Sequence, residues 1–194
     1  IYTFPQISGF LGGDILAAAI AAELDSYPQG ALLIDLGTNG ELMLKGDGKV
    51  YATSCATGPA FEGASLSCGI QAVPEAINRV MLSEGEHAAF SLVSGNSDPS
   101  QVPSGICGAG IISAVAAMFS YGLIDKTGSF TSTEAFPGLQ RTGKGLKFKL
   151  FDDGKGGEVS INQQDIRSLQ LGKAALRTGI ELLLESAGIA QPEA

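Results

Sequence analysis

Between residues 31 and 54 the chain reads as three short strands joined by two tight turns, and no other segment limits the fold so strongly. Ala31-Leu-Leu-Ile-Asp-Leu36, Glu41-Leu-Met-Leu44 and Lys49-Val-Tyr-Ala-Thr53 suit a pleated surface. Asn39-Gly40 and Asp47-Gly48 between them are hairpin dipeptides, because both residue types tolerate positive φ. A three-stranded antiparallel meander is therefore predicted. Its first turn carries more chemistry than a hairpin needs: Asp35-Leu-Gly-Thr-Asn-Gly-Glu41 gathers a carboxylate, two glycines, a hydroxyl and an amide at one tip.

Helical segments flank the meander. Gly9-Phe-Leu-Gly-Gly-Asp14 leads into Ile15-Leu-Ala-Ala-Ala-Ile-Ala-Ala-Glu-Leu24, apolar on nearly every side and so predicted as a buried helix that Tyr27-Pro-Gln-Gly30 ends. Residues 55 to 70 form a glycine-rich loop, 73 to 80 a short helical or strand-like connection and 89 to 93 a strand. Gly105-Ile-Cys-Gly-Ala-Gly110 opens a helix ending near Gly122. The polar stretch from 127 to 160 contains strand-like Lys147–Phe151 and Glu158–Ile161. The last and longest helix spans Gln164 to Ala187, with Ile166, Leu169, Leu176, Ile180, Leu183 and Leu184 at a period near 3.6 and Gly188 as its stop.

Composition removes several function classes. A formal net charge of -8 argues against sequence-independent binding to nucleic acid, which needs clustered Lys and Arg, and against an anionic membrane surface. The longest apolar stretch, Ile15 to Ala22, is far short of the roughly 20 residues of a membrane span. Cys55, Cys68 and Cys107 are widely spaced and form no disulfide or metal-knuckle pattern, which fits a reducing cytoplasm. The chain begins at Ile1 and stops at Gln191-Pro-Glu-Ala194, and is expected to be a piece of something longer.

The chemistry lies in the two glycine loops. A turn of Gly37-Thr38-Asn39-Gly40 lets successive N–H groups face one side as a concave anion site, to which Thr38 and Asn39 side chains add hydrogen bonds. Asp35 beside bare phosphate would be misplaced, but fits if Mg²⁺ lies between them. A plain Asn-Gly hairpin with a solvated Asp35 is the competing reading. Gly105 to Gly110 is a second phosphate device, with a helix N-terminus and its free N–H groups behind it; glycines that let a helix pack tightly are the rival account. Neither loop is a Walker A or dinucleotide motif.

Together the two devices resemble the phosphate-1 and phosphate-2 elements of the acetate and sugar kinase, heat-shock 70 and actin superfamily. Read with Gly58-Pro-Ala-Phe-Glu-Gly-Ala64 and Gln164-Asp-Ile-Arg-Ser-Leu-Gln-Leu-Gly-Lys-Ala-Ala175, the order of motifs is similar to the C-terminal ATPase domain of the reductive activators of corrinoid proteins, over about residues 8 to 190. The resemblance implies an α/β, ribonuclease H-like actin-type fold with a mixed sheet and flanking helices, truncated at both ends. Its first lobe would cover about residues 1–110 and its second about 111–194.

The implied activity is ATP binding and hydrolysis that drives reduction of a Co(II) corrinoid protein to Co(I), with ATP and Mg²⁺ as cofactors. The implied partner is the corrinoid protein of a methyltransferase system, and a homodimer is one implied assembly. The family's [2Fe-2S] module has no counterpart in this chain and would precede Ile1. The superfamily's later adenosine loop is also absent, so the piece alone is expected to be inactive.

Carried onto these residues, Asp35 would hold Mg²⁺ and Glu62 would orient a water for γ-phosphate attack. Gly37, Thr38, Asn39 and Gly40, with Gly105, Cys107, Gly108 and Gly110, would hold phosphates. Gln170 and Lys173, on one face of the last helix with Arg177, would line the nucleoside side. Each has a plainer alternative: Glu62 as a loop-fixing carboxylate, Cys107 as a small buried cysteine, and the last three as a solvated helix face. His87, in a polar turn, is read as exposed and without a catalytic role. The rival functions are a small-molecule kinase of the same superfamily and a non-catalytic binding or dimerisation module.

Overall fold

The computed structural model describes residues 3–95, 101–131, 136–143 and 145–190. Within them lie helices α1 (Gly13–Ala21), α2 (Gly108–Ser120) and α3 (Gln163–Ala187). The strands are β1 (Leu32–Leu36), β2 (Gly40–Lys45), β3 (Val50–Cys55), β4 (Ala76–Met81), β5 (Ala89–Leu92), β6 (Gly105–Ile106), β7 (Leu139–Thr142), β8 (Gly145–Asp152) and β9 (Glu158–Asn162). The chain divides into two compact units, one of Ile1–Gly58 with Gly172–Ala194 and the other of Pro59–Leu171. The expected lobe boundary near residue 110 falls inside the second unit, where β6 pairs with β4 and α2 packs on β4.

The first unit is built on the predicted meander, in the order β1-β2-β3 with both pairings antiparallel. The unbroken apolar run Leu42-Met43-Leu44 marks β2 as a strand buried on both faces. Met43 packs with Leu11, Ile15 of α1 and Leu24. Leu42 and Leu44 pack with Leu183, and Leu176, Ile180 and Leu184 of α3 lie against the same cluster. Gly179 permits this approach: a methyl there would lie 2.2 Å from Cys55 Sγ and 2.7 Å from Leu42 Cδ1. The helix ends as its sequence predicts. Gly188 takes a φ of +64°, its N–H donates to the Glu185 carbonyl, and the Ile189 N–H donates to that of Leu184, which closes a Schellman turn.

The second unit has two sheets, β5-β4-β6 and β7-β8-β9. The first is mixed, because β4 runs antiparallel to β5 and parallel to β6. Ser113 of α2 stitches the helix to β4 beside its bulge, with Oγ 3.0 Å from the Val80 N–H and 3.2 Å from the Val80 carbonyl. The core gathers Ile77, Ile106, Ile111, Met118, Phe148, Ile161 and Ile166, each at most 1% exposed.

The start of α3 is fixed by a reciprocal cap. Asn162 Oδ1 accepts from the Gln164 and Asp165 N–H groups at 2.7 and 3.1 Å, and Asp165 Oδ2 accepts in return from the Asn162 N–H at 2.9 Å. Asp165, only 3% exposed, also accepts from the N–H and the hydroxyl of Ser67, at 2.7 and 2.6 Å.

Three expectations differ from the structure. Helix α1 is less buried than its composition suggests: Ile15 alone is fully enclosed, while Ile20 is 58% exposed. A nine-residue helix on one sheet face buries only a stripe, and Ile7, Leu16, Ala19, Ile20, Met43 and Val50 line an open groove of about 420 Å³. Secondly, β7 lies in the stretch read only as polar, where residues 132–135 and 144 fall outside the described set. Thirdly, within the connection left open between helix and strand, residues 76–81 form a full strand, β4, which lies between β5 and β6.

The Asp165 carboxylate accepts three hydrogen bonds among those described, so Asp165→Asn turns an amide N–H₂ toward existing donors. A loss of about 1.5–3 kcal/mol in urea unfolding is expected, with Asp165→Glu intermediate. An unchanged unfolding midpoint for Asp165→Asn would show that this cap does not hold the loop at Ser67.

Candidate phosphate and metal site

In the first unit, Asp35 of β1 stands opposite Glu41 of β2, and Leu36 opposite Gly40. The connection is thus a three-residue loop, Gly37–Asn39, and Gly40 already belongs to the strand. Neither Asn39 nor Gly40 has a positive φ, so the Asn-Gly pair is not there for turn conformation. Gly40 is needed for space: a methyl on it would lie 2.6 Å from Leu176 Cδ2 and 2.8 Å from Thr57 Cγ2. The Gly37 N–H donates within the loop to the Asn39 carbonyl at 3.1 Å. Thr38 and Asn39 are exposed at the tip.

The electrostatics of this hairpin are one-signed. Asp35 is exposed and Glu41 half-buried. Burial pushes the Glu41 carboxyl above its ordinary value of 4.5, and repulsion from Asp14 and Asp35 adds to it, against a hydrogen bond from Ser54 Oγ at 3.4 Å. Oxygen donors with uncompensated negative charge suit a hard cation. Among the described residues no group of three or more His, Cys, Asp or Glu side chains could cage a metal ion. The arrangement therefore fits Mg²⁺, which takes about one or two carboxylates and completes its shell with phosphate oxygens and water; it does not fit an all-protein metal site.

In the second unit, Gly105 and Ile106 form β6 and Cys107 is the N-cap of α2, without a side-chain cap bond. Cys107 is 3% exposed; its N–H donates to the Ile77 carbonyl at 3.0 Å and its carbonyl accepts from the Ile111 N–H at 3.0 Å. The glycines here are packing devices. A methyl on Gly108 would lie 1.6 Å from the Phe61 carbonyl oxygen, and one on Gly110 would lie 2.1 Å from that of Ile77. Of the first three helical residues only Ala109 is exposed.

Glu62 is exposed at the end of a 3-10 turn, Pro59–Glu62, in the same unit. Gln170 also belongs there, half-buried. Its Oε1 accepts from Arg167 Nη1 at 2.6 Å and its Nε2 donates to the Thr127 carbonyl at 3.0 Å. The amide is thus engaged with the loop 125–129, in which Asp125 Oδ1 accepts from the N–H and hydroxyl of Thr127 and the N–H of Ser129. Those bonds, the hydroxyl first, hold the Asp125 carboxyl below the usual range. In the first unit Lys173 is exposed, and Arg177 pairs with Glu181 at 2.5 Å. His87 is exposed. The three cysteines are free thiols, Cys107 buried and the other two half-buried.

One residue beside the hairpin escaped the sequence reading. Thr57, 4% exposed, places its hydroxyl 2.9 Å from the Gly37 carbonyl and 3.0 Å from that of Thr38. Its only sequence signal is a hydroxyl immediately before the Gly58-Pro59 break.

Two outcomes follow from this geometry. Gly108→Ala drives a methyl into fixed backbone, so a destabilisation at or above about 3 kcal/mol, or failure to fold, is expected in chemical unfolding. An alanine variant of wild-type stability would show that α2 does not approach Phe61 so closely. For Glu41, the raised folded-state pKa means that its contribution to stability is fully present below 4.5 and is lost as pH rises through the folded value. Asp35→Asn removes one repulsive neighbour, so the carboxyl carbon of Glu41 should titrate at lower pH by NMR than in the parent. An identical midpoint would mean that the two carboxylates do not sense each other.

The family described as the C-terminal domain of RACo, the ASKHA domain, matches residues 29–193. The chain is 37% identical over 195 residues to "Corrinoid activation enzyme RamQ" of Eubacterium limosum, covering 95% of this chain and 32% of that protein. It is 29% identical over 162 residues to "[Co(II) methylated amine-specific corrinoid protein] reductase" of Methanosarcina barkeri, covering 74% and 30% respectively. A solved structure, "Reductive activator for corrinoid,iron-sulfur protein", superposes with a TM-score of 0.83 at 31% identity over 97% of this chain and 30% of its own. The chain spans about a third of the length of these relatives. The mixed α/β architecture expected from the motifs is the one found, and with the match over residues 29–193 the chain belongs to the family of the C-terminal, ASKHA domain of RACo.

Proposed function

We propose that this chain is the ATP-binding and hydrolysing domain of an activator that returns oxidised Co(II) corrinoid proteins of a methyltransferase system to Co(I). The observation that carries the reading is the Asp35–Glu41 hairpin, with an exposed carboxylate beside a glycine loop, in a chain of this family. The relatives' names, one a corrinoid activation enzyme and one a Co(II) corrinoid protein reductase, support the partner class. Three free cysteines are in keeping with a reducing cytoplasm. No helix among the described residues is long and apolar enough to cross a membrane.

In this reading Asp35, whose carboxylate is exposed, would hold Mg²⁺ through water, and the N–H groups and side chains of Thr38 and Asn39 would receive phosphate oxygens. When bound, the cation neutralises charge on the phosphates and so lowers the cost of bringing them beside Asp35, Glu41 and Asp14. Gly37 and Gly40 shape the hairpin, the first by its N–H bond across the loop and the second by admitting Leu176 and Thr57. The residues Gly105, Cys107, Gly108 and Gly110 form a second phosphate element whose exposed entrance is Ala109. Glu62 orients the attacking water, while Gln170 and Lys173 serve the nucleoside side, Gln170 through the loop it already grips. In this reading the electron carrier is a [2Fe-2S] module of the full-length protein.

Calorimetric titration of magnesium ADP into the chain should show binding that Asp35→Ala weakens by about tenfold, the effect of losing roughly one charge-assisted contact. Equal affinity in both would remove the hairpin from the site. In the full-length protein, ADP release accompanied by Co(I) formation on a corrinoid protein, with no phosphorylated acceptor, separates this reading from a small-molecule kinase. Glu62→Ala should slow that release with little change in nucleotide affinity, and unchanged turnover would leave Glu62 a loop-fixing carboxylate.

A further inference from the structure

A hydroxyl that touches no ligand can still decide which way a ligand's donors face. Thr57 is buried, and its Oγ lies within hydrogen-bond distance of two consecutive loop carbonyls, those of Gly37 and Thr38. Its single hydrogen is shared between them. In a trans peptide the C=O and the following N–H point in opposite directions, and the described residues contain no cis bond. Drawing the Gly37 carbonyl toward Thr57 therefore turns the Thr38 N–H away from it, and drawing in the Thr38 carbonyl does the same for the Asn39 N–H. Two peptide planes at the hairpin tip are oriented from behind, with both N–H groups turned away from Thr57.

The position of Thr57 is itself constrained. Its N–H donates to the Cys55 carbonyl at 2.9 Å, and its methyl lies where a side chain at Gly40 would be, 2.8 Å from that site. The hydroxyl is thus held at the back of the loop by β3 and by the glycine at the start of β2. Without it, both carbonyls lose the donor that Thr57 supplies, which favours rotation of either peptide.

We infer that Thr57 is the positioning residue of the hairpin's anion site: its hydroxyl, by fixing the Gly37 and Thr38 carbonyls, presents the Thr38 and Asn39 N–H groups to a phosphate oxygen of the magnesium nucleotide. This rests on the phosphate reading of the hairpin proposed above, and a substitution pair separates the two. Thr57→Ser keeps the donor and loses the methyl; Thr57→Val keeps the branched shape and loses the donor.

Magnesium ADP is titrated into the full chain while the backbone amide signals of Thr38 and Asn39 are followed by NMR, with the signals of β2 and β3 as a check of folding. The parent and Thr57→Ser should bind alike and shift both amides. Thr57→Val should bind about tenfold or more weakly, with the two amides displaced before any nucleotide is added. Should valine prevent folding, Thr57→Ala, which leaves room in place of the side chain, is expected to show the same loss. Parent-like affinity and amide positions in either donor-less variant overturn the role of Thr57 while leaving the hairpin as a phosphate site. Amides of Thr38 and Asn39 that stay still in the parent while nucleotide binds overturn the phosphate reading itself, and this inference with it.

Discussion

Only a hydrogen atom fits between the first residue of α2 and the carbonyl of Phe61. The second unit is arranged around that approach. Gly108 lets the helix start directly against the 3-10 turn Pro59–Glu62, Gly110 two residues on lies against the Ile77 carbonyl of β4, and Ser113 about one turn later ties the same helix to Val80. With the helix so seated, Ile111, Ala114 and Met118 enter the core with no measurable exposure. Apolar burial supplies the free energy, yet it can do so only because the backbones come this near. In the first unit Gly40 and Gly179 play the same part for the contact of α3 with the meander.

Charge at the hairpin works against stability, and this contrast singles it out. Two acidic groups elsewhere are held by close donors: Asp165 is enclosed by Ser67 and Asn162, and Glu158 takes both contacts from Lys147, at 2.6 and 2.7 Å. At the hairpin, Glu41 accepts a 3.4 Å hydrogen bond from Ser54 Oγ, but its burial first, and then repulsion from Asp14 and from Asp35 across the register, hold its proton more tightly than in the unfolded chain. In the function proposed for the hairpin, a bound cation would relieve this cluster, which gives a physical reason for such a site to be less stable than its scaffold.

The strands and helices were largely legible. The meander, α2, α3 and the Gly188 stop follow from local preferences: alternation or continuity of apolar residues, hairpin dipeptides, and a period near 3.6. The asparagine and aspartate that cap α3 also sat in plain view, since Asn162 and Asp165 have the spacing of a capping box. What was misread about Gly40 shows where local reasoning stops. Asn-Gly signals a turn by its tolerance of positive φ, but here the glycine stands in a strand and answers to Leu176, 136 positions further on in the numbering.

By itself the sequence determined which segments fold as strand and helix, where the glycine loops fall, and, through four motifs in order, which family the chain belongs to. Those features are set by interactions within a few residues or by residue identity in linear order. Tertiary structure alone decided that Gly108 and Gly110 let α2 lie against the Phe61 and Ile77 carbonyls, that Gln170 grips the loop at Thr127, that Glu41 is buried beside two other carboxylates, and that Thr57 stands behind the hairpin. Each depends on a distance between residues far apart in the chain, and such a distance is fixed only when the whole unit packs.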